Sequence, residues 1–303
     1  MTTLHILLPA IAHAAADPAV QRWLARGDRL PGVGNARVQT LRECFHFAGD
    51  TLPVAALRHH CYADDAAAGT WLCADPVWVQ SEATGARLMA WPLSDVSAAA
   101  ATELAAAVRP LLADTGALCV DAPDHWCLRL AGAVPAVPFA LPATALGANL
   151  LDCLPAGDAG RPWRRLFTEV QVALHACAAN AARSEAGQHP VNALWFWGAG
   201  SLPADVATSL HAVATADDSV RGLAKLGGAT YLEPSPAAFE AAPRGDALLD
   251  LDQPGVACDL AAWLPHCQRW LRVRRFDALQ LTFAGGERYR VRHAHRLRFW
   301  RHA

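Results

Sequence analysis

Lysine is nearly missing from this chain: Lys225 is its one lysine among 303 residues, so arginine carries almost all of the positive charge. Together with the abundance of alanine, that bias fits a GC-rich coding sequence rather than a chemical need. Net charge is missing too. A balance of −2 and a pI near 6.7 give no overall pull toward nucleic acid or an anionic membrane, so either contact would need a local patch. No apolar run approaches the roughly 20 residues that cross a bilayer. No basic segment precedes the opening LHILLPAIAHAAADPA, whose apolar run is broken by His5, Pro9 and His13. A first core strand over residues 4–8 is therefore expected there rather than a secretion signal. The nine cysteines, from Cys44 to Cys267, are scattered, odd in number and never spaced Cys-x-x-Cys. That argues against a disulfide framework or structural zinc and for free thiols in a reducing cytoplasm. Gly-x-Ser-x-Gly is absent, so Ser201 is not a nucleophile elbow.

What is present is a 53% hydrophobic chain, long enough for one large or two medium globular domains. Its organising stretch is HPVNALWFWGAGSLP, from His189 to Pro203. The uncharged run from Asn192 to Trp197 suits a strand buried on both faces, and Gly198, Gly200 and Pro203 predict a tight turn at its end. The first half predicts an α+β layer: a helix over 37–47, a second over 52–62, a hairpin over 77–91 turning at Thr84-Gly85, a helix from Ser94 or Asp95 to Leu112, and strands over 117–121 and 125–130. A connector rich in Pro and Gly over 133–162, including Pro135, marks the boundary candidate, giving parts 1–155 and 156–303. The second part predicts helices over 163–185, 204–210, 219–226 and 258–271 and strands over 193–197, 211–215, 247–251 and 278–283. That alternation implies an α/β fold with a mostly parallel sheet flanked by helices.

Asn180-x-x-Arg183, Gly187 and Pro190 through Gly200 resemble a segment of the archaeal-type cofactor-independent phosphoglycerate mutases, and Asp218 through Gly228 resembles a second segment of that family in the same order. With Ala74-Asp75-Pro76-Val77 and the closing Arg298-Phe299-Trp300, nearly the whole chain resembles the bacterial RpfE-type regulatory proteins. The mutase resemblance implies an alkaline-phosphatase-like scaffold with two metal ions held by Asp and His and a serine that takes the phosphoryl group. Three expected ligand groups depart from that pattern. Leu8 leads into Pro9-Ala10-Ile11 rather than Asp-Gly; Asp250-Leu251-Asp252 has no His close behind; Leu281-Thr282-Phe283 runs into Ala284-Gly285-Gly286 rather than Asp-His-Ser. The resemblance thus implies a cytoplasmic regulatory or ligand-binding relative, a pseudoenzyme with no catalytic residue, metal or cofactor. The alternatives are an active mutase or phosphatase with displaced ligands, and a protein-interaction module using some of the 11 tryptophans.

A surviving ligand pocket is expected where Asn180, Arg183 and Asn192 meet the turn at Gly198 and Gly200, with Arg221 as a further member. Arg183 would grip a small anion bidentately and the glycine amides would add donors. The other partner expected is a protein. Asp121-x-x-Asp124-His125 reads either as an acid/base pair or as a turn stabilised by Asp. His59-His60 and His293-x-His295 are the close histidine pairs, and strand alternation would put His293 and His295 on one face, without an evident third ligand. From Arg272 onward nine arginines face only Asp277 and Glu287. That tail reads as an anion patch or as an arginine-lined edge hairpin turning at Gly285-Gly286.

Overall fold

A computed structural model describes residues 1–49, 51–83, 85–133, 137–253 and 259–301. The expected turn residue Thr84, Pro135 of the connector and Cys258 lie outside the described residues. The chain forms two compact units, Met1–Thr51 with Pro203–Ala303, and Leu52–Leu202. The breaks therefore fall near 51/52 and 202/203, and the stretch over 133–162 lies within the second unit rather than between units.

The first unit is built on a seven-stranded sheet in the order Thr230–Leu232, Leu210–Ala214, Asp246–Asp250, Thr3–Leu8, Ala278–Phe283, Arg288–Arg292, Asp28–Leu30. The first five strands run parallel, and Arg288–Arg292 runs antiparallel to both of its neighbours. Thr3–Leu8 is central, with Leu4 opposite both Ala247 and Leu279. Its Leu4, Ile6, Leu7 and Leu8 are all buried because helices cover the sheet. One cover is the helix Pro18–Arg26, started by Asp17, whose carboxylate accepts from the Ala19 and Val20 amides, with Pro18 in the first turn. It packs Trp23 and Leu24 into one core with Leu264, Trp270 and Leu271 of Leu260–Arg272. The helix expected over 219–226 is Asp218–Gly227, capped by Asp217 and closed by Gly228 at φ 73°.

The second unit holds an antiparallel sheet in which Thr70–Glu82 pairs Gly85–Ala90, His125–Leu130 and Ala193–Ser201, and Gly116–Ala122 pairs His125–Leu130. Alternation splits its residues between two cores. Leu194 and Phe196 join Leu104 and Val108 of the helix Ala98–Leu112 and Val170 of Gly157–His175, while Trp195 and Trp197 join Ala55 and Ala56 of Val54–Tyr62.

The α/β class, the mostly parallel sheet with helices, and the antiparallel hairpins of the first half are as expected. Several details differ. The tryptophan-rich strand is buried on both faces but antiparallel; two covered faces erase the alternation that normally marks such a strand. It does not end at Gly198. It runs to Ser201 through a bulge, with Trp71 opposite Gly200 and Cys73 opposite Trp197, where Gly198 supplies φ 64°. The helix expected over 163–185 is two, Gly157–His175 and Ala178–Glu185, because Cys177 is extended and Asn180 Nδ2 donates to the Leu174 carbonyl at the first helix's end. Residues expected as a helix over 204–210 form the strand Val206–Thr208 against Phe45–Phe47, which in turn ends the helix Ala36–Cys44 early. His293 and His295 sit in the 3-10 turn His293–Leu297, not on a strand face.

Candidate functional site

Open parallel sheets bind ligands outside the carboxyl ends of their strands. At that end of the first unit's sheet, Asp250 is the last residue of Asp246–Asp250, and Thr215 follows Leu210–Ala214. Asp217, held by its own capping role, accepts from the Ser219 amide at 2.7 Å and from the Ser219 hydroxyl at 2.6 Å. Into this group comes Arg37, in the first turn of Ala36–Cys44, a helix entered through Asn35 in the left-handed region at φ 45°. Its guanidinium donates to both oxygens of Asp250, at 2.9 and 2.8 Å, to Asp217 Oδ2 at 2.6 Å and to the Asp252 carbonyl at 2.9 Å. The planar fork matches the carboxylate, which is why arginine rather than lysine suits the position. Asp250 also accepts from the Thr215 hydroxyl at 3.0 Å and the Asp252 amide at 3.2 Å, and Gln253 donates to Thr215 and to the Asp250 carbonyl.

The side chain of Asp250 is 0% exposed, those of Arg37 and Asp217 23% and 24%. Burial pushes the Asp250 carboxyl above its ordinary range against the pull of Arg37. Burial acts the same way on Asp217, but there Arg37 and the two Ser219 hydrogen bonds overcome it and hold the carboxyl low. Burial also raises Asp252. One fixed cation thus offsets part of the charge of a carboxylate cluster that would otherwise be costly. These residues do not fit the two-metal centre that the sequence resemblance implies. Both oxygens of Asp250 are turned onto Arg37, and among the described residues no group of three His, Cys, Asp or Glu is placed to hold an ion.

The residues expected to bind a ligand lie elsewhere. Asn180 is buried, with Nδ2 donating to the Leu174 and Val191 carbonyls and Oδ1 accepting from the Val191 amide. Arg183, also buried, donates to the His189 carbonyl, the Asp95 carbonyl and Asp95 Oδ1. Asn192 pairs with the Val79 amide and carbonyl. Asn180 and Arg183 are thus brought together on the segment entering the tryptophan-rich strand, where their polar groups fix backbone. Gly198 and Gly200 face Val54 and Pro53 across that strand: an added Cβ would lie 2.9 Å from Val54 Cβ and 2.5 Å from Pro53 Cβ. Arg221 belongs to the other unit, paired with Asp218 at 3.1 Å and lying over the Tyr231 ring at 4.6 Å.

The second unit contains a buried ion pair that the sequence did not disclose. Arg58 donates to both oxygens of Asp75, each at 2.9 Å, and the Trp91 and Trp197 indoles donate to Asp75 Oδ2 at 3.0 and 2.8 Å. Burial opposes ionisation of Asp75, yet Arg58 holds its carboxyl low. Beside it, Asp121 pairs not with His125 but with His59: the ring bridges Asp121 at 2.8 Å and Asp65 at 2.9 Å and stacks on Trp71. Signals for these sites were faint. Asp250, a carboxylate inside the apolar run Ala-Leu-Leu-Asp-Leu, marks a buried charge in need of a partner, but nothing adjacent in sequence names Arg37, 213 residues away.

No family model and no curated protein matches this chain. Among solved structures, it is similar to the cofactor-independent phosphoglycerate mutase from Thermoplasma acidophilum at 13% identity and a TM-score of 0.43, covering 96% of this chain and 89% of that one. It is also similar to the PH0037 protein from Pyrococcus horikoshii at 12% identity and a TM-score of 0.47, covering 95% of this chain and 86% of that one.

Proposed function

We propose that this protein is a regulatory or ligand-binding protein on a mutase-like scaffold and that it does not transfer phosphoryl groups. The observation that carries this reading is the Arg37 fork on Asp250. Metal-assisted phosphoryl transfer needs carboxylates whose lone pairs are open to dications and whose charge stabilises the ions bridging the phosphoryl oxygens. Here the cation is part of the chain. A metal ion would have to displace a guanidinium held by four hydrogen bonds, to Asp250, Asp217 and the Asp252 carbonyl. The Thr215 hydroxyl donates to Asp250, and the buried Ser219 lies in a helix's first turn with its hydroxyl on Asp217, so neither is presented as an exposed nucleophile backed by a Lewis acid.

Assays of 2- and 3-phosphoglycerate interconversion and of phosphomonoester hydrolysis, with manganese, magnesium or zinc supplied, test the reading. The expected result is no turnover above buffer. Turnover that is lost in Asp250→Asn would overturn it.

A further inference from the structure

The first unit carries a cavity of about 390 Å³, unrelated to the strand-end cluster, between the helices Pro18–Arg26 and Leu260–Arg272 and the turn His293–Leu297. Its polar wall includes Arg26, Arg272, Arg292 and Arg296, and among the described residues no carboxylate lines it. Arg269 also lines it and is neutralised by Glu240, but among the described residues none of the other four forms an ion pair. Arg26 Nε is moreover buried without a hydrogen-bond partner. Arg272 lies in the last turn of its helix, where a cation is favoured by the helix dipole. Arg296 lies in the last turn of His293–Leu297, and Arg292 acts through space on the Asp28 carboxylate. They flank a turn pinned by His295, whose ring accepts from the Arg292 amide at 3.3 Å and lies 3.4 Å from Asp28. The lining also includes the apolar Trp23, Leu271, Val291 and Pro265.

We propose that this cavity binds a small organic phosphate with an apolar or aromatic body. The lining of one cavity by four arginines that form no ion pair among the described residues, in a chain of net charge −2, is the observation that points to it. Each guanidinium presents five N–H donors, far more than the two oxygens of a carboxylate satisfy. A phosphomonoester dianion offers three terminal oxygens and two charges in the geometry that guanidinium forks match. The indole of Trp23 and the adjacent aliphatic side chains suit a flat or apolar remainder. The volume falls within the range of about 300–1,000 Å³ typical of small-molecule sites. The site shares no residue with the Arg37 cluster, so its failure and the failure of the phosphoryl-transfer reading are separately visible.

Calorimetry on the full chain with adenosine 5′-monophosphate, adenosine, inorganic phosphate and a single-stranded oligonucleotide tests the proposal. The monophosphate is expected to bind once per chain, at least about tenfold tighter than adenosine or inorganic phosphate. The double variant Arg292→Gln, Arg296→Gln alters two exposed side chains. It is expected to weaken that binding by about tenfold or more while leaving the ligand-free melting temperature unchanged. Absence of monophosphate binding at millimolar concentration, equal affinity in the double variant, or tighter, length-dependent binding of the oligonucleotide would each overturn it.

Discussion

Replacing Arg37 with Met removes the cation and keeps much of the side chain's bulk. Asp250 would then be left fully buried with its charge uncompensated, its remaining donors being the Thr215 hydroxyl and the Asp252 amide. Removing one partner of a buried ion pair costs about 3–5 kcal/mol. Because Arg37 and Asp217 are each about a quarter exposed, water relieves part of this, and the lower end, about 3 kcal/mol, is expected. At roughly 2 °C per kcal/mol for a chain of this size, the melting temperature should fall by about 6 °C. Adding Asp250→Asn removes the orphaned charge and should recover more than about 1 kcal/mol, so the double-mutant cycle should show strong coupling. Acid should narrow the gap between Arg37→Met and the wild type. Burial already raises the Asp250 carboxyl in the folded state, and losing Arg37 raises it further. A raised folded value favours folding below the unfolded value of 3.8, and that contribution is lost as pH rises through the folded one. Urea unfolding at pH 5 and pH 7 reads all of this. A single variant within about 0.5 kcal/mol of wild type, or strictly additive effects in the double, would refute the account of Arg37 as the cluster's counter-ion.

Arg58→Met should cost about 3–5 kcal/mol, more than Arg37→Met, because both charges of its pair are almost wholly buried; near-ultraviolet dichroism should report the loosening of Trp91 and Trp197. At His59, burial opposes the charged form, but the hydrogen bonds to Asp121 and Asp65 win and raise its pKa above the ordinary 6.5. The stabilisation it gives is therefore full below pH 6.5 and lost as pH rises through the folded value, so wild-type urea midpoints should show a component, absent in His59→Gln, that falls as pH rises above 6.5. Gly198→Ala should destabilise by about 2 kcal/mol or more, through a left-handed backbone and a Cβ only 2.9 Å from Val54 Cβ, as thermal melts would show.

How much of this was legible in the sequence depends on the range of the interactions involved. Helix limits set by local chemistry were readable, as with the helix expected over 219–226 and found over Asp218–Gly227. The central strand Thr3–Leu8 was readable because an uncharged aliphatic run has few other places to go. Pairing partners were not. Whether the run ending in Trp197 lies in a parallel or an antiparallel sheet depends on Thr70–Glu82, more than a hundred residues away, and a glycine that reads as a turn serves equally well as a bulge. The same limit hid the sites. Asn180 and Arg183 have the chemistry of ligand-binding groups, but their donors meet backbone carbonyls of His189 and Val191 only a few residues on. Arg37 and Asp250 become partners only once the sheet and the helix Ala36–Cys44 have assembled.

We propose that Arg37 occupies the strand-end carboxylates and closes them to dications. The most direct test of this is the metal content of the full chain after equilibration with manganese and removal of free ion. No retained manganese is expected in the wild type. Retention of about two equivalents, lost in Asp250→Asn and accompanied by phosphoglycerate turnover, would contradict it and make this protein a two-metal enzyme.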